Sequence, residues 1–157
     1  MPDSRHRRRT LAALAAAAAV FAAAALAAGY IGGKTVVVTA RKLHGQTAHV
    51  LTTQDGITLY YSTEDTPEKS TCTGACTKTW KPFALVGLGR PTASEKLRPH
   101  LSILQRSQQS FQVEYNGHPL YTYVKDREPG DMRGAGKDPF RVATLATPSA
   151  STGGATR

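Results

Sequence analysis

The chain has only two cysteines, Cys72 and Cys76, in a C-x3-C arrangement. A close thiol pair can form a disulfide, a redox couple or half of a metal site. The spacing is not the C-x-x-C of a thioredoxin-type couple, and no C-x-x-C-H for covalent haem is present. Zinc would need two further ligands. His44, His49, His100 and His118 are scattered, without H-x3-H or H-E-x-x-H spacing. The reading taken is a structural disulfide in an oxidising compartment, worth about 2 kcal/mol for so short a loop. A thiol–disulfide redox or electron-transfer role for Cys72 and Cys76 is the alternative. No metal and no other cofactor is expected.

Carboxylates fall in two groups, Glu64-Asp65 and Asp126 with Glu128 and Asp131. Such groups can do acid–base work or hold calcium, but EF-hand spacing is absent. Asp65 and Asp126 occupy matched positions of an internal repeat. A residue used twice in this way reads as a turn cap that accepts backbone N–H bonds. Gly130, Gly134 and Gly136 lack the Lys-Ser or Lys-Thr of a phosphate loop and read as turn glycines. No G-x-S-x-G nucleophile motif occurs. The chain is expected not to be an enzyme. Aromatic residues on strands either bury as core or stack on sugar rings and peptides. Tyr60, Tyr61, Tyr115, Tyr121, Tyr123 and Trp80 read first as core, with Tyr60, Tyr121, Tyr123 and Trp80 as the candidate binding platform beside the cations Lys125 and Arg127.

The elements that must position these residues come as a duplication. Asp55-Gly56-Ile57-Thr58-Leu59-Tyr60 recurs 61 residues later as Asn116-Gly117-His118-Pro119-Leu120-Tyr121, and Asp65 recurs as Asp126. Residues 49–54 and 57–62 flank Asp55-Gly56, and residues 110–115 and 118–124 flank Asn116-Gly117. Asp-Gly and Asn-Gly between such runs are strong hairpin signals, since both turn residues take φ > 0. Alternation puts Phe111, Val113 and Tyr115 on one face. A further strand is expected at 101–106, turning at 107–109. A short helix is expected at 92–97, with Thr92 as N-cap, Glu95 three residues on, and Pro99 ending it. After each Leu-Tyr strand comes an irregular loop that closes on an aromatic, Trp80 or Phe140. The expected fold is mainly β, a small sheet or sandwich of two related hairpin repeats with irregular loops.

Residues 10–33 carry no charge and follow the basic cluster Arg5, Arg7, Arg8 and Arg9. This pattern is a signal peptide or a signal-anchor helix. The run is long enough to span a bilayer, yet Ala25-Leu26-Ala27 is a cleavage-type pattern and Arg8-Arg9 resembles a twin-arginine signal. Both readings stay open, and both put the remainder outside the cytoplasm. Residues 34–45 read as a spacer in which Val36 to Val38 can form an edge strand. Residues 46–146 form the duplicated domain, with repeat 1 over 46–85 and repeat 2 over 101–146. Residues 147–157 are expected to be disordered. The net charge of +9 includes the N-terminal cluster. Residues 1–28 hold four of the 20 basic and one of the 11 acidic groups, which leaves +6 on the rest. That charge is spread without a Lys or Arg run. It reads as a weakly cationic exterior suited to an anionic envelope polymer or an envelope protein, not to nucleic acid.

Several segments together resemble one family. They are Gly56-Ile57-Thr58-Leu59-Tyr60, Cys72-Thr73-Gly74-Ala75-Cys76 with Trp80-Lys81-Pro82, Gln112 to Tyr121, and Pro129-Gly130-Asp131 with Gly134 and Gly136. They are similar to the secreted-repeat lipoproteins of bacteria, small envelope proteins of undefined function. The resemblance implies an extracytoplasmic, β-rich domain, often tethered to a membrane, and implies no reaction. The chain departs from the family in lacking an anchor Cys after the apolar run. It also has Lys81 where Pro is usual and Phe140 where Trp is usual.

Overall fold

The computed structural model describes residues 33–85 and 89–151. The expected signal or anchor at 10–33 lies almost wholly outside them. Among the described residues no helix is long and apolar enough to cross a membrane.

The fold is mainly β and antiparallel. Strand β1 (Val36–Leu43) pairs along its length with β2 (Gln46–Thr53). A seven-stranded sheet holds β3 (Tyr60–Ser62), β4 (Trp80–Pro82), β5 (Ala84–Leu85), β6 (Leu101–Ser107), β7 (Ser110–Tyr115), β8 (His118–Tyr123) and β9 (Phe140–Val142). Bridges from Val50 to Thr144 and from Thr52 to Thr58 join the two sheets. One helical turn, α1 (Cys76–Thr79), precedes β4.

The two repeats interlock. In the centre β3 pairs with β8, Tyr60 opposite Tyr121. The hairpin β7–β8 is splayed beyond its first pairs, and repeat 1 inserts its aromatic segment there. Trp80 pairs with Tyr123 on β8, and Leu85 pairs with Phe111 on β7. Between them Phe83 N donates to Leu120 O at 2.8 Å and Val113 N to Phe83 O at 2.9 Å. Repeat 2 returns the insertion. Phe140 pairs with Ser62 on β3, Ala143 N donates to Leu59 O at 2.9 Å, and Leu51 N donates to Ala143 O at 2.8 Å. Leu59 and Leu120 are matched positions, so the same bond occurs twice. Neither hairpin is complete without the other repeat's strand.

Alternation then sorts the side chains. One core takes Leu51, Leu59, Val113, Leu120, Phe83 and Ala143 among others. A second takes Tyr60, Tyr121, Tyr123, Trp80, Phe140 and Cys72.

Four local expectations change. Asn116 and Gly117 have φ of 51° and 78°, the two-residue turn expected, but in the first hairpin only Gly56 is positive, at 81°. Thr53 N donates to Ile57 O, which closes a three-residue loop with Gly56 in the left-handed region. Residues 34–45 are not a spacer: β1 stands to β2 as β6 stands to β7, and its turn is His44-Gly45, with φ of 50° and 82°. No helix forms at 92–97. Thr92 is bridged in parallel to Thr35, and a 3-10 turn at Arg98–His100 takes Pro99 into its first turn. Within the expected tail, residues 147–151 are described. Thr147 is buried, and Ala150 N donates to Asn116 O at 2.8 Å.

Candidate functional site

The matched polar residues meet across the repeat boundary. The Tyr60 hydroxyl donates to Asp126 Oδ2 at 2.6 Å, and the Tyr121 hydroxyl donates to Asp65 Oδ2 at 2.5 Å. Each tyrosine thus reaches the aspartate of the other repeat. Burial raises both phenols, and the aspartate each one bonds to raises it further. Tyr121 is pushed up to about 12, and Tyr60 is pushed higher. Both stay neutral donors at neutral pH, so neither acts as a proton acceptor there. The turn glycines show the same exchange. A Cβ on Gly56 would meet Pro129 at 2.9 Å, and one on Gly117 would meet Pro67 at 2.9 Å.

In the first loop, residues 63–79, Asp65 Oδ1 accepts from Thr71 N and from Thr71 Oγ1, both at 2.7 Å. Cys72 and Cys76 form a disulfide. Below it lies Arg106, which sits where the register of β6 on β7 shifts between Gln105 and Ser107. Such an irregularity re-aims a side chain. Here the guanidinium donates to Ser70 Oγ (2.7 Å), Gln112 Oε1 (2.6 Å) and Cys72 O (2.6 Å). Ser70 Oγ lies 2.6 Å from the Tyr121 hydroxyl. Arg106, Ser70, Tyr121 and Asp65 therefore form one polar chain under the disulfide.

In the second loop, residues 124–139, Asp126 Oδ1 accepts from Arg133 N at 2.9 Å. Asp131 Oδ2 accepts from Arg127 N (2.9 Å) and Glu128 N (3.2 Å), and these bonds hold its carboxyl below the usual range. Gly134 N donates to the Tyr60 hydroxyl at 3.3 Å. A Cβ at Gly134 would stand 2.7 Å from Trp80 Cη2 and 2.9 Å from Tyr60 Cζ, so only glycine lets the loop lie on these rings.

The residues expected as a stacking platform do not offer ring faces to solvent. Tyr60 and Tyr121 expose none of their surface, Tyr123 6% and Trp80 7%. Trp80 stacks on Phe140 at 3.9 Å between centroids and lies 4.6 Å from Tyr123. Tyr121 meets Phe140 edge-on at 5.3 Å. The physical reason is the inserted strands, which bring both repeats' aromatics to one face of the sheet. Asp65 and Asp126 do accept loop N–H bonds, as caps, and also bind the opposite tyrosine. Glu64 is exposed beside buried Asp65. Among the described residues no three His, Cys, Asp or Glu side chains gather as metal ligands. His118 is buried against Tyr61, at 4.5 Å between rings, and desolvation pushes its imidazole down. Ser70, Arg106 and Gln112 were not singled out in the sequence. The one signal for them was a Gln between the apolar Phe111 and Val113 of a buried strand.

Two interlocked β repeats, each closed by the other's aromatic strand and tyrosine, define the class of this fold. A model of a family described as a secreted repeat of unknown function matches residues 47–84 and again 102–142, half of the chain, and the chain belongs to that family. The protein is accordingly extracytoplasmic. Neither the curated proteins nor the solved structures gave a match.

Proposed function

We propose that the protein is a non-enzymatic module of the cell envelope that holds an anionic envelope polymer or an envelope protein, exported or tethered through residues 10–33. One observation carries the reading. The matched Tyr–Asp pairs, which are the groups best suited to chemistry, are buried and committed to fastening the two loops. A scaffold fastened in this way presents its exposed surface without rearranging it. The net charge of +6 beyond residues 1–28 favours an anionic partner. Nucleic acid and cofactors have no part in this reading.

Co-sedimentation with isolated envelope polymer tests it. The full-length protein is expected to pellet with the polymer at low salt and to be released as salt screens the charges. Protein that stays in the supernatant at every salt concentration overturns polymer binding. Turnover of any envelope component by the purified protein overturns the non-enzymatic part.

A further inference from the structure

A groove of about 530 Å³ opens where residues 89–91 pass strands β6 and β7. Pro91, Leu101, Ile103 and Phe111 supply its apolar lining, and Arg90 and Arg98 supply charge. Leu101 and Ile103 lie two apart on β6, and Phe111 lies opposite Gln105, so all three share one face of the sheet. That face is continuous with the first core. Leu101 and Phe111 pack against it, and Val113 and Tyr115, opposite Ile103 and Leu101, lie within it. Ile103, at the outer end, is 46% exposed. An apolar strip therefore runs out from the core into a groove with two exposed guanidiniums. No carboxylate is among its described lining residues, and the Glu114 carboxylate accepts from the lining Ser102 Oγ at 2.7 Å.

The form of this lining selects the ligand. A peptide added to a sheet uses the backbone donors and acceptors of a strand edge. Among the described strands β6 pairs with β7 alone, so its outer edge is free, but the apolar lining of this groove is made by the Leu101, Ile103 and Phe111 side chains that stand out from the sheet face. A ligand without backbone polar groups fits such a surface. Arginine matches a carboxylate or phosphate through paired N–H bonds. We infer that the groove binds a single alkyl chain carrying an anionic head group, with the chain on Leu101, Ile103 and Phe111 and the head at Arg90 and Arg98. This goes beyond the polymer-binding reading and does not depend on it.

The probe is dodecanoate below its micelle concentration, followed by amide NMR of the full-length protein. Saturable one-to-one binding is expected, with shifts centred on residues 98–103 and Phe111. Dodecyltrimethylammonium, with the same chain and opposite charge, is expected to bind at least about tenfold more weakly, by the rule that charge-assisted bonds are the stronger ones. Shortening the chain is expected to weaken binding by up to about fourfold per methylene. Ile103→Asp should abolish binding. The double variant Arg90→Ser with Arg98→Ser, on exposed side chains, should remove the preference for the anion while leaving the fold's circular dichroism unchanged. Equal affinity for the two head groups overturns the inference. So do shifts centred elsewhere, and so does binding to anionic lipid vesicles without binding of monomeric dodecanoate. Polymer binding that survives any of these results leaves the proposed function standing.

Discussion

The loop at 63–79 and the loop at 124–139 follow matched strands, start from matched aspartates and end on matched aromatics, yet they are fastened differently. In the first, Asp65 keeps two bonds from Thr71, the disulfide ties Cys72 to Cys76, and Arg106 reaches in from β6. In the second, Asp126 keeps one local bond, from Arg133 N, and the chain lies on Tyr60 and Trp80 through Gly134. What the loops share is the bond to the tyrosine of the other repeat. What differs is everything local. The cross-repeat bond is therefore the constraint set by the architecture, and a covalent staple or a glycine contact are alternative ways to complete a loop around it.

Truncating the aromatic anchors is the strongest way to break the comparison. Trp80→Ala and Phe140→Ala each open a cavity in the second core and should cost about 3–5 kcal/mol. Trp80 contacts Tyr60, Tyr123 and Phe140, whereas Phe140 contacts Trp80 and Tyr121. Trp80→Ala should be the worse of the two. Urea unfolding checks this, and a cheap Trp80→Ala would mean that the first loop stands without its anchor.

The tyrosines discriminate more finely. Tyr60→Phe and Tyr121→Phe each remove a bond to a carboxylate and should cost about 1.5–3 kcal/mol. Tyr60→Phe should cost more, because Asp126 is left with one partner and Gly134 N loses its acceptor, whereas Asp65 keeps both bonds from Thr71. The pH dependence has a definite sign. A phenol raised in the fold contributes stability that is complete below its unfolded value near 10. For Tyr121 that contribution is lost as pH rises through about 12. Tyr121→Phe should therefore flatten the alkaline loss of stability over that window. Equal costs for the two variants would remove the asymmetry between the loops.

Reduction tests the staple directly. Opening Cys72–Cys76 should cost about 2 kcal/mol by loop entropy. Hydrogen exchange should rise at 66–79 and stay unchanged at 126–139. The buried Cys72 and half-buried Cys76 are poorly placed for exchange with an external thiol. A reduction potential near −120 to −200 mV would nonetheless turn attention back to the redox reading, while one below about −300 mV fits a staple.

The sequence revealed what repeats and hid what crosses. Gly56 and Gly117, Tyr60 and Tyr121, and Asp65 and Asp126 stand out because the same types recur at one offset. Alternation also placed Val113 and Tyr115 on one face. The exchange of strands left no such mark, since Trp80 closing the opposite hairpin or its own would look the same in one dimension. The burial of Tyr60, Tyr121, Tyr123 and Trp80 was legible as the core reading of strand aromatics, whereas their meeting across the repeats follows from that exchange and was hidden. Strand β1 was legible only as the edge strand at Val36 to Val38, and its match to β6 was obscured because it is one of position and pairing, not of residue type. Arg106 was unreadable because its role depends on a register shift that turns it under the disulfide.

Asp131 gives the mildest perturbation and sharpens the contrast most. It has no matched partner in the first loop. Its carboxylate accepts from Arg127 N and Glu128 N and lies 3.5 Å from the Arg133 guanidinium. Because those bonds lower its pKa, its contribution is present above the ordinary carboxylate value near pH 4. It is lost as pH falls through the lowered value. Asp131→Asn should leave global stability nearly unchanged. It should speed amide exchange at Arg127 and Glu128 and abolish the acid dependence of that exchange. If it instead destabilises the protein as much as reduction of Cys72–Cys76, then Asp131 is the second loop's counterpart of the disulfide, and both loops depend on a local staple as well as the shared tyrosine bond.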